Sequence, residues 1–177
     1  MSSSSLAMAR TRDAAPLPHF ITVLEANYTT IRRELEQLDF ERDFIDWPQR
    51  DAYAGRWSVF PLFFPAEPYL PVDVELNRRR CPESTRILRG IPTLVGAGFS
   101  LLGPSTRVHA HRDHYAEGVV RCHLALIAPF GARLCIGTRD LVWEEGRCLV
   151  FDGQEEHEAL NASDRARVVL LADFFGL

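Results

Sequence analysis

Between Ile21 and Leu38 the apolar residues recur at Leu24, Tyr28, Ile31, Leu35 and Leu38, spaced by four and three. That spacing lines them up along one side of a helix and predicts a single helix over 21–38, whose stripe must be covered. The cover is expected from the rest of the chain, where the pattern changes. "WSVFPLFF" (Trp57–Phe64) reads as a strand, but Pro61 has no N–H to give to a ladder, so the strand is expected at an edge or with a bulge. Short helices are predicted at Val74–Arg80 and Pro82–Arg89, the second closed by Gly90 and Pro92. Beyond these, "LVGAGFSLL", "TRVHAHR", "VVRCHLALIAP", "ARLCIG", "RCLVFD" and "ARVVLLADFF" are short apolar or β-branched runs parted by turn residues. A helical start followed by regularly spaced strands predicts a mainly β protein with flanking helices, a sandwich or jelly roll. Residues 1–18, rich in Ser, Ala and Pro, are expected to form a flexible tail. Residues 19–177 are expected to form one domain, with a helical part at 19–90 and the β core at 57–177.

Composition supports a single core and narrows the partners. With 46% apolar and 25% charged residues in a chain of 177, there is enough material for one sizeable domain. A net charge of −4 gives no reason to expect nucleic acid or a membrane surface as partner. All 20 basic residues are arginine, so any anion site must use arginine, histidine or backbone amides. The cysteines, Cys81, Cys122, Cys135 and Cys148, form no CxxC pair, which argues against a zinc finger. The last three sit in strand-like segments and are expected as buried thiols. The first 18 residues lack the continuous apolar run of a signal peptide, and no run approaches a membrane span. A reducing, cytoplasmic setting is therefore expected.

The chemistry gathers around "VHAHRDHYAEG", which holds His109, His111 and His114 together with Asp113. Residues two apart on a strand share a face, so His111 and Asp113 can reach one point. His157 follows the apolar run "CLVFD", where a turn can return it to the same rim. Two histidines and one carboxylate with open positions opposite form the facial triad of non-haem Fe(II) oxygenases. By the same spacing His109 shares the face of His111 and is a weaker ligand candidate. His114 falls in the following loop. Arg167 stands alone in an apolar strand, where a cation is costly unless an anion meets it, and its planar fork suits a carboxylate. Arg121 and His123 alternate with apolar neighbours and are expected on the inner face. The competing reading of both arginines is an ion pair with an interior acid such as Asp152 or Asp173. Trp143 and Phe151 are expected in the core, and Glu144–Arg147 as a solvated hairpin turn.

Taken together, "GFSLLGPSTRVHAH", "RCHLALIAP", "WEEGRCLVFDGQEEHEALN" and "RVVLLADFF" resemble the aspartyl/asparaginyl β-hydroxylase family of Fe(II)/2-oxoglutarate-dependent oxygenases. "WSVFPLF" and "RRRCPESTRIL" resemble it too, so the likeness runs from Trp57 to the C-terminus. It implies a double-stranded β-helix, the cupin-like jelly roll. It implies His111 and His157 as iron ligands, Arg167 as the anchor for the far carboxylate of 2-oxoglutarate, and Arg121, His123 and Ser100 as further contacts to that co-substrate. Iron, 2-oxoglutarate and O2 would be required, with ascorbate as reductant. The chain departs from the animal members at Asp113, where they carry glycine, and its 111–121 segment is one residue longer. Asp113 therefore either completes the triad or points elsewhere; the HxD spacing favours ligation.

The activity expected is a dioxygenase hydroxylating an amino acid, a peptide or a related small molecule, with an Asp or Asn β-carbon as one candidate position. A free-standing domain fits such small substrates better than folded ones. Substrate contacts are expected from the N-terminal segment and the 112–118 loop. The alternative is a cupin-like metal-binding protein, either a non-oxidative enzyme or a small-molecule binding module. It explains the histidines but gives no reason for Arg121, His123 and Arg167 to line one cavity.

Overall fold

The computed structural model describes residues 18–64, 72–114 and 117–176. The tail, apart from Pro18, and Tyr115 and Ala116 of the 112–118 loop lie outside them. Among the described residues, four α-helices, α1 (His19–Ala26), α2 (Tyr28–Leu35), α3 (Val74–Arg80) and α4 (Pro82–Arg89), and one 3-10 turn at Arg50–Ala52 accompany eleven strands. The strands are β1 (Ile45–Asp46), β2 (Tyr53–Ala54), β3 (Trp57–Phe63), β4 (Leu94–Leu102), β5 (Thr106–His111) and β6 (Val119–Ile127), then β7 (Ala132–Ile136), β8 (Arg139–Val142), β9 (Cys148–Phe151), β10 (His157–Asn161) and β11 (Arg167–Phe175). They form two antiparallel sheets, ordered β1-β3-β4-β11-β6-β9 and β2-β5-β10-β7-β8. This is the expected jelly roll.

The larger sheet is covered on both faces, and its strands read that way. On β6, Cys122, Leu124 and Leu126 join the cluster under the helices, while Ala125 belongs to the cluster between the sheets. On β11, Val168, Leu170, Ala172 and Phe174 face the helices, and Val169 faces the smaller sheet. The alternate residues Arg121, His123, Arg167 and Asp173 are buried as well. Strict period-two alternation thus places them on the inward face with Val169 and Ala125.

The N-terminal stripe is buried as expected, but on two helices rather than one. Leu24, Ile31 and Leu35 are fully buried, each contributing roughly 2 kcal/mol. The break falls at Asn27, whose side-chain amide donates to the Val23 carbonyl at 2.8 Å. Asparagine competes with the helix for its own backbone groups, and here it ends α1 and starts α2. Phe20 of α1 stacks on Phe174 of β11 with ring centroids 4.2 Å apart, which pins the helical layer to the sheet.

Pro61 lies in an interior strand of the larger sheet, yet its expected constraint is met. The two residues of β1 pair only with Val59 and Ser58, and the β3–β4 register shifts between Pro61 and Phe63. Beyond Val59 that edge is closed by side chains of α3. Asn77 Nδ2 donates to the Pro61 carbonyl at 2.9 Å and Arg78 Nε to the Leu62 carbonyl at 2.7 Å.

Glu144–Arg147 is not a hairpin turn. It carries the chain from β8 in one sheet to β9 in the other. It is also docked: the Gly146 N–H donates to the Ala125 carbonyl at 2.9 Å, and Arg147 pairs with Glu25 of α1 at 3.1 Å. All four cysteines are free, but Cys135 and Cys148 are only half-buried. No helix among the described residues is long and apolar enough to cross a membrane.

Candidate active site

His111 ends β5 and His157 begins β10, directly opposite each other in register. A β-bulge makes this possible. His157 pairs with His111 but Ala159 pairs with Val108, so β5 carries one extra residue between them. Val108 is buried and faces the interior. Without the bulge, Ala110 would follow it inward and His111 would point out with His109. His109 is exposed instead, its Nδ1 3.1 Å from the Asp51 carbonyl. The expectation that His109 and His111 share a face is therefore overturned by the extra residue. His114 is exposed.

Both imidazoles are oriented through Nδ1, which donates to a backbone carbonyl 2.8 Å away: that of His109 for His111, and that of Glu155 for His157. This fixes the tautomer and leaves each Nε2 lone pair facing the site. Burial holds the His157 pKa below the ordinary imidazole value, against the pull of the Glu155 carbonyl and of Asp113, so its neutral form is favoured.

Asp113 lies two residues past the end of β5. Its backbone N–H donates to the Gly153 carbonyl at 2.8 Å. Asp113 Oδ1 is 3.9 Å from His111 Nε2, and Oδ2 is 3.7 Å from His157 Nε2. The three ligand atoms all lie within 4.8 Å of one another. Adjacent donors about 2.1 Å from an ion sit roughly 3 Å apart, so shifts of about an ångström would close the set.

Arg121 meets two carboxylates. Its Nε and Nη2 donate to Asp173 at 2.9 and 3.1 Å, and Nη1 stands 2.7 Å from Asp113 Oδ2. The ion-pair alternative with Asp173 is thus realised for Arg121. Burial raises the Asp173 pKa, and Arg121 opposes that rise.

Arg167 differs. It is buried, its Nη1 donates to the Ser100 carbonyl at 3.2 Å, and its guanidinium carbon sits 4.5 Å over the Trp143 ring. Its Nε has no partner, and no carboxylate among the described residues pairs with it. Burial alone lowers its pKa, to about 9. Close by, both ring nitrogens of His123 are buried without a hydrogen-bond partner among the described residues, and burial, then Arg167 and Arg121, keep that ring neutral. A buried cation and two orphaned nitrogens on one inner face call for an anion that can also accept hydrogen bonds. Ser100, whose carbonyl takes Arg167, also borders a cleft. Its Oγ accepts from Trp57 Nε1 at 3.2 Å, and it helps line this cleft of about 80 Å³ with Trp47, Trp57, Phe64, Asp113 and Arg121.

The aspartyl/asparaginyl beta-hydroxylase family model matches residues 25–176, nearly the whole chain. The chain belongs to this family. It is 36% identical over 172 residues to the ornithine lipid ester-linked acyl 2-hydroxylase of Rhizobium tropici, covering 92% of this chain and 59% of that protein. It is 34% identical over 172 residues to human aspartate beta-hydroxylase domain-containing protein 2, covering 89% and 44%. The chain thus spans about half the length of these relatives. Among solved structures, a Pseudomonas putida prolyl-4-hydroxylase superposes with TM-score 0.52 at 18% identity, covering 91% of this chain and 89% of that one. The alpha-ketoglutarate-dependent epimerase SnoN from nogalamycin biosynthesis does so with TM-score 0.53 at 16% identity, covering 86% and 72%. At such identities they establish the fold.

Within this family framework the sequence named the three clustered residues and Arg167, His123 and Ser100. It did not single out Asp173 as part of the site, or the stacking of Trp143 on Arg167. The signal for Asp173 was available. It is a lone acid in an apolar strand, on the face of Arg167, and it pairs in register with Arg121. Trp143 gave none, because a buried tryptophan reads as core until its neighbour is known.

Proposed function

We propose that this protein is an Fe(II)- and 2-oxoglutarate-dependent hydroxylase. The observation that carries the reading is the nearness of two unsatisfied features inside the jelly roll: three potential metal ligands converge, and on the far side of the Phe151 ring, which touches both His157 and His123, lie an arginine with no carboxylate partner and a histidine whose ring nitrogens have none among the described residues. Iron would be held by His111, Asp113 and His157. The far carboxylate of 2-oxoglutarate would be met by Arg167, with His123 and Ser100 as hydrogen-bonding groups. When bound, iron and 2-oxoglutarate supply oxidation of a substrate C–H bond by O2, with succinate and CO2 as co-products.

The chain's own part is placement and exclusion. The carbonyls of His109 and Glu155 hold both imidazoles with Nε2 forward. Trp143 gives Arg167 a flat apolar bed that keeps its fork in plane and out of water. Fe(II), dianionic 2-oxoglutarate, Asp113, Asp173, Arg121 and Arg167 together sum to zero formal charge, which suits a poorly hydrated cavity.

For the substrate, two features favour an uncharged carbon chain over an Asp or Asn side chain. The cleft beside Asp113 is walled by Trp47, Trp57 and Phe64. The cation that lines it, Arg121, is already answered by two carboxylates of the chain. The Rhizobium relative, named as an acyl hydroxylase, agrees with this preference. The test measures succinate formed from 2-oxoglutarate with Fe(II) and ascorbate, in the presence of amino acids, Asp- or Asn-containing peptides, or acyl amphiphiles. Stimulation by the acyl compounds with a +16 product is expected. No succinate with any of them, coupled or uncoupled, would sink the oxygenase reading, and stimulation by the peptides alone would overturn the substrate preference.

A further inference from the structure

Asp173 is a buried acid whose part in the site, beyond balancing charge, lies in what it holds. It stands on β11, six residues after Arg167 on the same inward face, and opposite Arg121 in register. Its two oxygens take Nε and Nη2 of Arg121, fork to fork, at 2.9 and 3.1 Å. Arg121 is thereby gripped along one edge. Its other terminal nitrogen, Nη1, is held 2.7 Å from Asp113 Oδ2. The edge of Arg121 that could clamp a carboxylate of substrate or co-substrate in bidentate fashion is the edge Asp173 occupies.

Asp113 needs such help. It lies beyond β5, where its backbone N–H is held by the carbonyl of Gly153, itself outside any strand, and its side chain has staggered alternatives. We infer that Asp173 is a positioning residue for the metal centre: by holding Arg121 it sets the rotamer of Asp113, so that its carboxylate stands between the Nε2 atoms of His111 and His157. The paired charges explain why an arginine can do this without removing the ligand. A lone guanidinium at 2.7 Å would compete with the ion for Asp113, whereas one already neutralised by Asp173 orients the carboxylate and draws on it less. The inference rests on the metal reading of the three ligands.

The test is Mn(II) binding by calorimetry on the full chain. Asp173→Asn is expected to weaken Mn(II) binding by about 10- to 100-fold, the range for residues that orient ligands. Arg121→Gln should lose a similar factor. The double variant should lose no more than about twofold beyond either single change, because Asp173 acts through Arg121. With Co(II), the visible bands of Asp173→Asn should move toward those of Asp113→Gly, a shift that a merely structural role would not produce. Should Asp173→Asn fail to fold, Arg121→Met/Asp173→Leu removes both buried charges together and should show the same loss and the same bands. Wild-type affinity and bands in a folded Asp173 variant, or losses that multiply independently in the double variant, overturn the inference while leaving the metal site intact. If His111→Ala leaves Mn(II) binding unchanged, the metal reading falls and this inference with it.

Discussion

Gly153 sits so close to Asp113 that a Cβ at position 153 would stand 2.5 Å from Asp113 Oδ2. The oxygen that would have to yield is the one 2.7 Å from Arg121 Nη1. Gly153→Ala is therefore expected to displace the Asp113 carboxylate. Mn(II) affinity should fall by about tenfold or more, with little change in the fold's thermal midpoint. Calorimetry and circular dichroism on the same sample check both halves. Unchanged affinity would mean that Asp113 is not a ligand.

Among the described residues, the partners of the buried cation Arg167 are the Ser100 carbonyl and the Trp143 face. Replacing such a group by an apolar residue of similar length removes a desolvation cost. Arg167→Met should raise the Tm of the ligand-free protein by about 2–4 °C. It should also abolish the further rise that 2-oxoglutarate with Mn(II) gives the wild type. A loss of several degrees in the ligand-free variant would show instead that Arg167 holds the fold together. Thermal scans of both proteins, with and without ligands, decide it.

His123 and His157 are buried with imidazole pKa values held below the ordinary value. In the unfolded chain each takes up a proton near pH 6.5. Their neutral forms thus contribute stability that is fully present above pH 6.5 and is lost as pH falls toward the folded pKa. At pH 5.5 His123, held well below the ordinary value, is expected to cost the metal-free protein about 1.4 kcal/mol relative to neutral pH. His123→Leu should lose correspondingly less between pH 7.5 and 5.5 in urea unfolding. Equal losses in both proteins would mean that His123 is protonated in the fold.

Much of this was readable from local pattern. Strands β3–β7, β9 and β11 and the two short helices α3 and α4 follow from apolar runs bounded by turn and cap residues, and the inward faces of Arg121, His123 and Arg167 from alternation in segments buried on both sides; β1, β2, β8 and β10, with two to five residues each, carry too little pattern to be marked. The features that escaped depend on one residue tipping a local balance or on pairing between distant strands. The α1–α2 break rests on the Asn27 side chain bonding the Val23 carbonyl. The separation of His109 from His111 rests on a bulge that only the register with β10 defines. The grip of Asp173 on Arg121 joins residues 52 positions apart. Charge alone left either arginine able to take an interior acid, and the pairing of strands decided which one did.

The central claim, that the three ligands and Arg167 form one site for metal and 2-oxoglutarate, is tested most directly by titrating 2-oxoglutarate into the protein with and without Mn(II) in a calorimeter. Tight binding is expected only when Mn(II) is present, lost in His157→Ala and reduced at least about 30-fold in Arg167→Met. Binding that is indifferent to the metal and to both substitutions, or no binding by a protein that takes up Mn(II), would contradict it and favour a metal-binding cupin of another class.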